Sequence, residues 1–241
     1  DDAHVFCRIS QVKEEIQNIW EIVHTFYKTF DLPLKLRLSL RDPAHPEKYL
    51  GNKDYWDKAE EILREIAKEN KTEYYEGLGE AAFYAPKLDF MAKDSIGREL
   101  QVATIQLDVN MPDRFDLSCT NEKGEKERIV MIHAAIMGSI ERFMSTMIEH
   151  FSGAFPFWLS PVQVKIIPVR ENHNEYAKQV FELLKENNIR VELDDKDENL
   201  GTKVRDAKNN KIPYWIVVGD KEIEAKKVTL ESRDKGQLGQ M

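Results

Sequence analysis

Residues 129–132 (Ile129, Val130, Met131, Ile132) form an apolar run that ends in His133, and Gly138, Ser139, Ile140, Glu141, Arg142 and Phe143 follow soon after. An imidazole at the end of a buried strand and a guanidinium at a helix start place a metal-capable ligand beside a cation able to hold an anion. That pairing suits a site that handles nucleotides. A plain strand followed by a core helix explains the apolar residues but gives no reason for His133 or Arg142. A second histidine, His4, lies in the strand-like segment Ala3, His4, Val5, Phe6, Cys7. Two histidines are too few for a structural zinc site and one ligand short of a typical catalytic one. Two separately satisfied core histidines therefore stay open as the alternative. Cys7 comes three residues after His4, so on a strand it faces the other side, and Cys119 is no obvious third ligand.

A second group of chemistry-bearing residues lies between 79 and 109. In the strand pattern 100–109, Thr104, Gln106 and Asp108 share one face, with Ile105, Leu107 and Val109 on the other. Hydrogen-bonding groups with an apolar backing are what a polar small-molecule pocket needs, and any half-exposed strand shows the same pattern. Gln101 is out of phase with Thr104, so for both to face one ligand a β-bulge must lie between them. Upstream, Tyr84, Pro86 and Lys87 mark a strand entrance. Lys87 can neutralise a phosphate and Tyr84 can orient a substrate amine, or the pair is a solvated lysine beside a packed tyrosine. The chain has no P-loop, no Rossmann glycine fingerprint and no serine nucleophile elbow. The commonest nucleotide and hydrolase readings are thereby removed.

The elements that must position these groups are legible from periodicity. Val12, Ile16, Ile19, Val23, Phe26, Tyr27 and Phe30 recur at three and four, which predicts a helix over 10–30. A second helix is expected over 53–70, through Trp56, Ala59, Ile62, Leu63, Ile66 and Ala67. Strands are expected at 34–40, 87–93, 100–109, 115–120 and 126–133, with Asn121, Glu122, Lys123 and Gly124 as a hairpin turn. Helical spacing returns over 136–151. Helices on an antiparallel sheet make this an α+β layer architecture. A connector with Gly153, Pro156 and Pro161 leads into a βαβαβ rhythm: strands at 162–169, 190–193 and 213–218, helices at 175–187 and 200–208. A small, mostly parallel sheet covered by helices is expected there.

The chain has 241 residues, 41% hydrophobic and 32% charged, an ordinary globular composition. A formal charge of −8 argues against a non-specific DNA coat, though a local basic face for RNA remains compatible with it. No run approaches the roughly 18 apolar residues needed to span a bilayer. Two cysteines cannot form a disulfide framework. A cytoplasmic protein without a membrane partner is expected. The opening reads like the middle of a strand, so a longer parent chain is expected.

Four segments carry a family resemblance: DDAHVFC at 1–7, GEAAFYAPKLDF at 79–90, QVATIQLDV at 101–109 and VMIHAAIMGSIERF at 130–143. Together they resemble the threonyl-tRNA synthetases, and the last is similar to the third signature motif of class II synthetases. FPFWLSPVQVKIIPV, DENLGTKVRDA and PYWIVVGDKEIE resemble that family's anticodon-binding domain. The resemblance covers essentially the whole chain. It implies a class II antiparallel catalytic sheet with helices over 1–158, incomplete at its N-terminus, then a small α/β anticodon-binding domain over 159–241.

By the same resemblance, His4 and His133 would be two ligands of a catalytic Zn²⁺, with the third, a Cys, upstream of Asp1. The zinc would bind threonine's amino and hydroxyl groups and so discriminate against valine. Asp2 would hold the threonine hydroxyl, and Tyr84 and Gln106 its amino end. Gln101 and Thr104 would face ATP, supplied with Mg²⁺. Arg142 would take the triphosphate, and Lys87 would lie near the reacting carboxylate and phosphate. Arg205 and Glu222 match positions that read anticodon bases. The implied partners are tRNA(Thr), threonine and ATP, with a homodimer in the full-length enzyme.

The chain departs from the family at Leu100, Ala134, Asp197 and Glu231, where an aromatic Trp, an Arg, an Asn and an Arg are usual. By the resemblance, the motif-2 arginine and the first motif are expected upstream of Asp1. The expected activity is ligation of threonine to its tRNA through an adenylate, with this chain, taken alone, inactive. The alternative is a non-catalytic, synthetase-derived module that binds threonine, an adenylate or RNA.

Overall fold

A computed structural model describes residues 1–241, which divide into two compact units, Asp1–Thr146 and Met147–Met241. In the first unit, β1 (Asp2–Arg8), α1 (Val12–Thr29), β2 (Lys35–Leu40), α2 (Lys53–Glu69), β3 (Tyr74–Leu78), β4 (Lys87–Lys93) and β5 (Glu99–Asp108) follow in order. The short α3 (Asn110–Arg114), β6 (Ser118–Thr120) and β7 (Lys126–Ala135) come next, and α4 (Ile140–His150) begins in this unit and runs past its end at Thr146. No helix is long and apolar enough to cross a membrane.

The apolar stripe of α1 (Val12, Ile16, Ile19, Trp20, Val23, Tyr27) is buried as its spacing requires. Asn52 caps α2 by accepting the Tyr55 amide, and Trp56, Ala59, Leu63, Ile66 and Ala67 form its buried face. Both helices contact one face of a sheet ordered β1-β7-β5-β4-β2-β3, with β6 paired to β7. Alternation sends Leu36, Leu38, Leu88, Phe90, Ile105, Leu107, Ile132 and Ala134 into this core. The polar residues of the same strands are thereby committed to the opposite face. All pairs are antiparallel except β2–β3, which is parallel. The expected strand over 115–120 shrinks to Ser118–Thr120, because the short α3 and its turn take the residues before it.

In the second unit, β8 (Val164–Pro168), α5 (Asn174–Glu186), β9 (Val191–Leu193), α6 (Leu200–Asn209), β10 (Tyr214–Val218), α7 (Asp220–Ala225), β11 (Thr229–Ser232) and β12 (Gly236–Gln240) form a sheet ordered β12-β11-β10-β8-β9. The β8–β9 and β8–β10 pairs are parallel. The β10–β11 and β11–β12 pairs are antiparallel. The parallel reading thus holds for three strands, and a hairpin that it did not include extends the sheet. Two apolar clusters sandwich it: Val164, Ile166, Ala177, Ile216 and Val218 in one, Ile167, Ala207, Ile212 and Trp215 in the other.

Candidate active site

On the open face of the first sheet, strand register alone brings the candidate residues together. His4 pairs with His133 across β1–β7, and His133 pairs with Gln106 across β7–β5. Gln106 pairs with Lys87 across β5–β4, and Lys87 with Ser39 across β4–β2. The two imidazoles meet edge-on with centroids 4.7 Å apart. His4 is exposed and His133 half-buried, so neither is a core histidine. Cys7 lies on the core side, its thiol pushed up to about 11 by burial and the nearby Glu15.

His133 Nε2 lies 3.0 Å from Asp108 Oδ2. Asp108 is itself fixed, its Oδ1 accepting the Asn110 and Met111 amides at 2.8 and 3.0 Å. An Nε2–H donated to this carboxylate leaves Nδ1 as a lone-pair donor, the arrangement by which metal-binding histidines are oriented. His133 is thereby oriented as a ligand, and His4 lies beside it on the same face. No group of three or more His, Cys, Asp or Glu residues is arranged to hold a metal ion. The Tyr84 hydroxyl donates to Gln106 Oε1 at 2.8 Å, and its ring lies 5.4 Å from that of His133. Burial and the nearby Asp108 raise the Tyr84 pKa, so the phenol stays neutral and remains a hydrogen-bond donor.

Beside this group a single buried carboxylate, Asp89, organises the next set. Its Oδ2 takes Ser39 Oγ at 2.6 Å, Arg37 at 3.0 Å and Lys87 Nζ at 3.2 Å. Its Oδ1 takes the Thr104 hydroxyl at 2.7 Å. Arg37 also donates to Gln101 Oε1 at 3.3 Å and pairs with Glu80 at 3.1 Å. Gln101 and Thr104 do share a face. The bulge required for that is present: Gln101 pairs with Met91 and Ala103 with Phe90, leaving Val102 unpaired.

Asp1, Asp2, Gln101, Thr104, Gly138, Ser139 and Arg142 line a cavity of about 390 Å³ at this end of the sheet. Ser139 Oγ accepts the Arg142 amide, and the Arg142 side chain is exposed. Arg37, Ser39 and Asp89 were not singled out by sequence reasoning. A lone acid between Leu88 and Phe90 was the available sign, and its partner Arg37 lies 52 positions away.

The second unit treats its candidates differently. Arg205 is exposed on α6. Glu222 is consumed locally: Oε2 accepts the Gly219 amide at 2.9 Å and Oε1 the Thr229 hydroxyl at 2.6 Å. Asp197 lines a cavity of about 350 Å³ with Arg170, Glu171, Lys196 and Lys203. Glu231 pairs with Trp215 on β10. In the first unit, Ala134 is buried on the core face and Leu100 is half-buried on β5.

Residues 1–151 match the family model of the class II tRNA synthetase core domain (G, H, P, S and T). The chain belongs to the class II tRNA synthetase family. Residues 163–241 match a second model, the anticodon binding domain. Among the relatives of this class II synthetase chain, the threonine–tRNA ligase of Caldanaerobacter subterraneus is 48% identical over 99% of this chain and 36% of its own length. That of Porphyromonas gingivalis is 45% identical over 100% of this chain and 37% of its own. The chain thus spans little more than a third of the relatives it matches. Two solved structures are similar. The RNA-binding domain of the Cryptosporidium parvum threonyl-tRNA synthetase superposes with a TM-score of 0.91 at 34% identity, covering 100% of this chain and 60% of that one. A threonyl-tRNA synthetase of Aeropyrum pernix gives 0.82 at 30% identity, covering 99% and 57%.

Proposed function

We propose that this chain is the C-terminal part of the catalytic core, together with the anticodon-binding domain, of an enzyme that ligates threonine to tRNA(Thr). The observation that carries the reading is the continuous polar face from His4 and His133 through Gln106 and Lys87 to Asp89 and Thr104. Threonine is taken at the histidine end, where Tyr84 and Gln106 receive its amino group, and Asp2, level with Thr104 at the edge of the adjoining cavity, takes its hydroxyl. Zinc held by His4 and His133, with a third ligand from outside this chain, would supply a Lewis-acid contact to the same two groups. ATP, with Mg²⁺, lies toward Gln101 and Thr104, with Arg142 on the triphosphate.

In adenylation a threonine carboxylate oxygen attacks the α-phosphorus and pyrophosphate leaves. Lys87 stands between the two substrate ends and offsets the charge that builds there. Catalysis comes from positioning and charge neutralisation, without a covalent enzyme intermediate. Acyl transfer to the tRNA follows, with Arg205 and Glu222 assigned to the anticodon and a homodimer as the working assembly.

Threonine-dependent ATP–pyrophosphate exchange tests this, on the chain and on the full-length gene product, with Arg142→Ala as control. Exchange lost in the control supports the enzyme reading. Exchange in the full-length product alone assigns essential groups to its remaining part. Absence of exchange in both, with threonine or RNA still bound, replaces the enzyme by a binding module.

A further inference from the structure

Tyr27 is on α1, on the far side of the sheet from the cavity that contains Gln101, Thr104 and Arg142, yet its hydroxyl reaches the joint between them. It lies 2.9 Å from the carbonyl of Val102 and 2.9 Å from the carbonyl of Ile136. Val102 is the bulged residue, with no partner on β4, and β5–β7 pairing begins only at Thr104, opposite Ala135. Its carbonyl therefore has no ladder partner and needs one from elsewhere, because a buried backbone acceptor left unpaired is costly. Ile136 is the first residue after β7, two before Gly138, where the chain turns with φ +71° toward Arg142. A Cβ built on Gly138 would lie 3.6 Å from the Val102 carbonyl oxygen, so the two segments touch. Tyr27 is 1% exposed, and burial raises its pKa further above the usual phenol range, so the hydroxyl keeps its one proton and shares it between the two carbonyls.

We infer that Tyr27 is a positioning residue for the nucleotide half of the pocket. Its hydroxyl pins the bulge that turns Gln101 and Thr104 to one face against the segment that carries Arg142, and so fixes the spacing between the two sets of ATP-directed groups. It touches neither substrate. The threonine half, Tyr84, Gln106 and His133, is held by separate contacts and does not depend on it. The inference rests on the proposed aminoacylation reading.

The test is ATP–pyrophosphate exchange by the full-length gene product and its Tyr27→Phe variant, titrating ATP and threonine separately. Tyr27→Phe keeps the ring and is expected to raise KM for ATP roughly tenfold, the scale of one hydrogen bond to a buried carbonyl. KM for threonine should change less than about twofold, the range within which sites that share no partners act independently. Val23→Ala loosens the same helix without touching the clamp and should leave both constants unchanged. Gly138→Ala strains the joint from the cavity side and should reproduce the ATP-selective rise, which keeps the test open should Tyr27→Phe not fold. Equal changes in both KM values, a loss in kcat alone, or the same response from Val23→Ala would overturn the inference. A wild-type protein without exchange would instead overturn the parent reading. Direct ATP binding then still decides Tyr27: an unchanged ATP Kd in Tyr27→Phe removes its role.

Discussion

Each unit buries a charge cluster, and the two are built in opposite senses. In the first, two cations and two hydroxyls converge on the single carboxylate of Asp89. In the second, three carboxylates (Glu192, Asp194 and Asp206) surround the single ammonium of Lys165, at 3.2, 3.0 and 2.6 Å. Asp89 lies under an open sheet face, where Arg37 is shared with Glu80, Ser39 and Gln101 and Lys87 has Asp89 as its one carboxylate. On the proposed function, Lys87 is the cation of this cluster that receives an anion. Lys165 is 1% exposed, but Glu192 and Asp206 are 46% and 41% exposed, so the cluster meets water with its carboxylates and its surplus of negative charge offers nothing to a nucleic acid. What separates the two clusters is the sign at the buried centre: a carboxylate ringed by cations and hydroxyls in the first unit, an ammonium ringed by carboxylates in the second.

The largest effect should come from Asp89→Ala. It leaves Arg37 and Lys87 facing each other over a lost carboxylate, and breaking a buried pair in this way costs about 3–5 kcal/mol. Urea unfolding followed through Trp20 and Trp56, the tryptophans of the first unit, should show it, and ATP binding should be lost with it. Lys165→Met should cost the second unit about 3 kcal/mol, because Asp194 stays buried without its cation while Glu192 and Asp206 can turn to water. This loss should appear through Trp158 and Trp215, with ATP and threonine binding unaltered. If Lys165→Met weakens substrate binding as Asp89→Ala does, the contrast between the two clusters fails.

The sequence was a good guide where a long element has one buried face. Helix α1, α2 and strand β4 follow their apolar period, and β5 does so as far as its bulge. The bulge itself was a condition stated from phase alone: Gln101 and Thr104 can share a face only if one residue is skipped, and Val102 is that residue. Strand β3 was illegible because it is an edge strand, Tyr74–Leu78, without a buried residue to mark alternation. The segment from α7 to β12 was missed for the same reason: α7 has six residues and buries none, and β12 is almost wholly exposed. In the candidate site, residue types were readable but partnerships were not. Asp108 was visible as a polar strand residue; its hold on His133, 25 positions away, exists only in the register.

Glu222 sharpens the contrast on a smaller scale. Burial opposes its charged form, but the Thr229 hydroxyl, the Gly219 amide and its own backbone amide more than offset that and hold its pKa below the usual carboxylate value. Its stabilising effect is therefore present above the ordinary pKa of about 4.5 and is lost as pH falls through and below it. Glu222→Ala should cost the second unit about 1 kcal/mol, the usual worth of a helix N-terminal cap. Glu222→Gln retains the acceptor toward Thr229 and should cost less. A loss of tRNA charging in Glu222→Gln without any change in the unfolding midpoint would show that the carboxylate works on RNA and not only on α7.

At neutral pH the smallest expected effect belongs to His24, on the helix that carries Tyr27. Its ring packs between Trp20 and Phe90, with centroids at 5.2 and 5.7 Å, and its buried Nε2 has no hydrogen-bond partner. Lys28 and Asp31 line the adjacent cavity. Burial lowers its pKa below 6.5, so the unfolded chain takes up the proton first as pH falls. The first unit should hold its full stability above about pH 6.5 and lose it as the pH drops below that, with a slope no steeper than about 1.4 kcal/mol per pH unit for one proton. His24→Phe keeps an aromatic ring against Trp20 and removes the titration. Melting temperatures between pH 7.5 and 5 should converge on a flatter profile in that variant, and an identical slope in the two proteins would remove His24 as the source of the acid sensitivity.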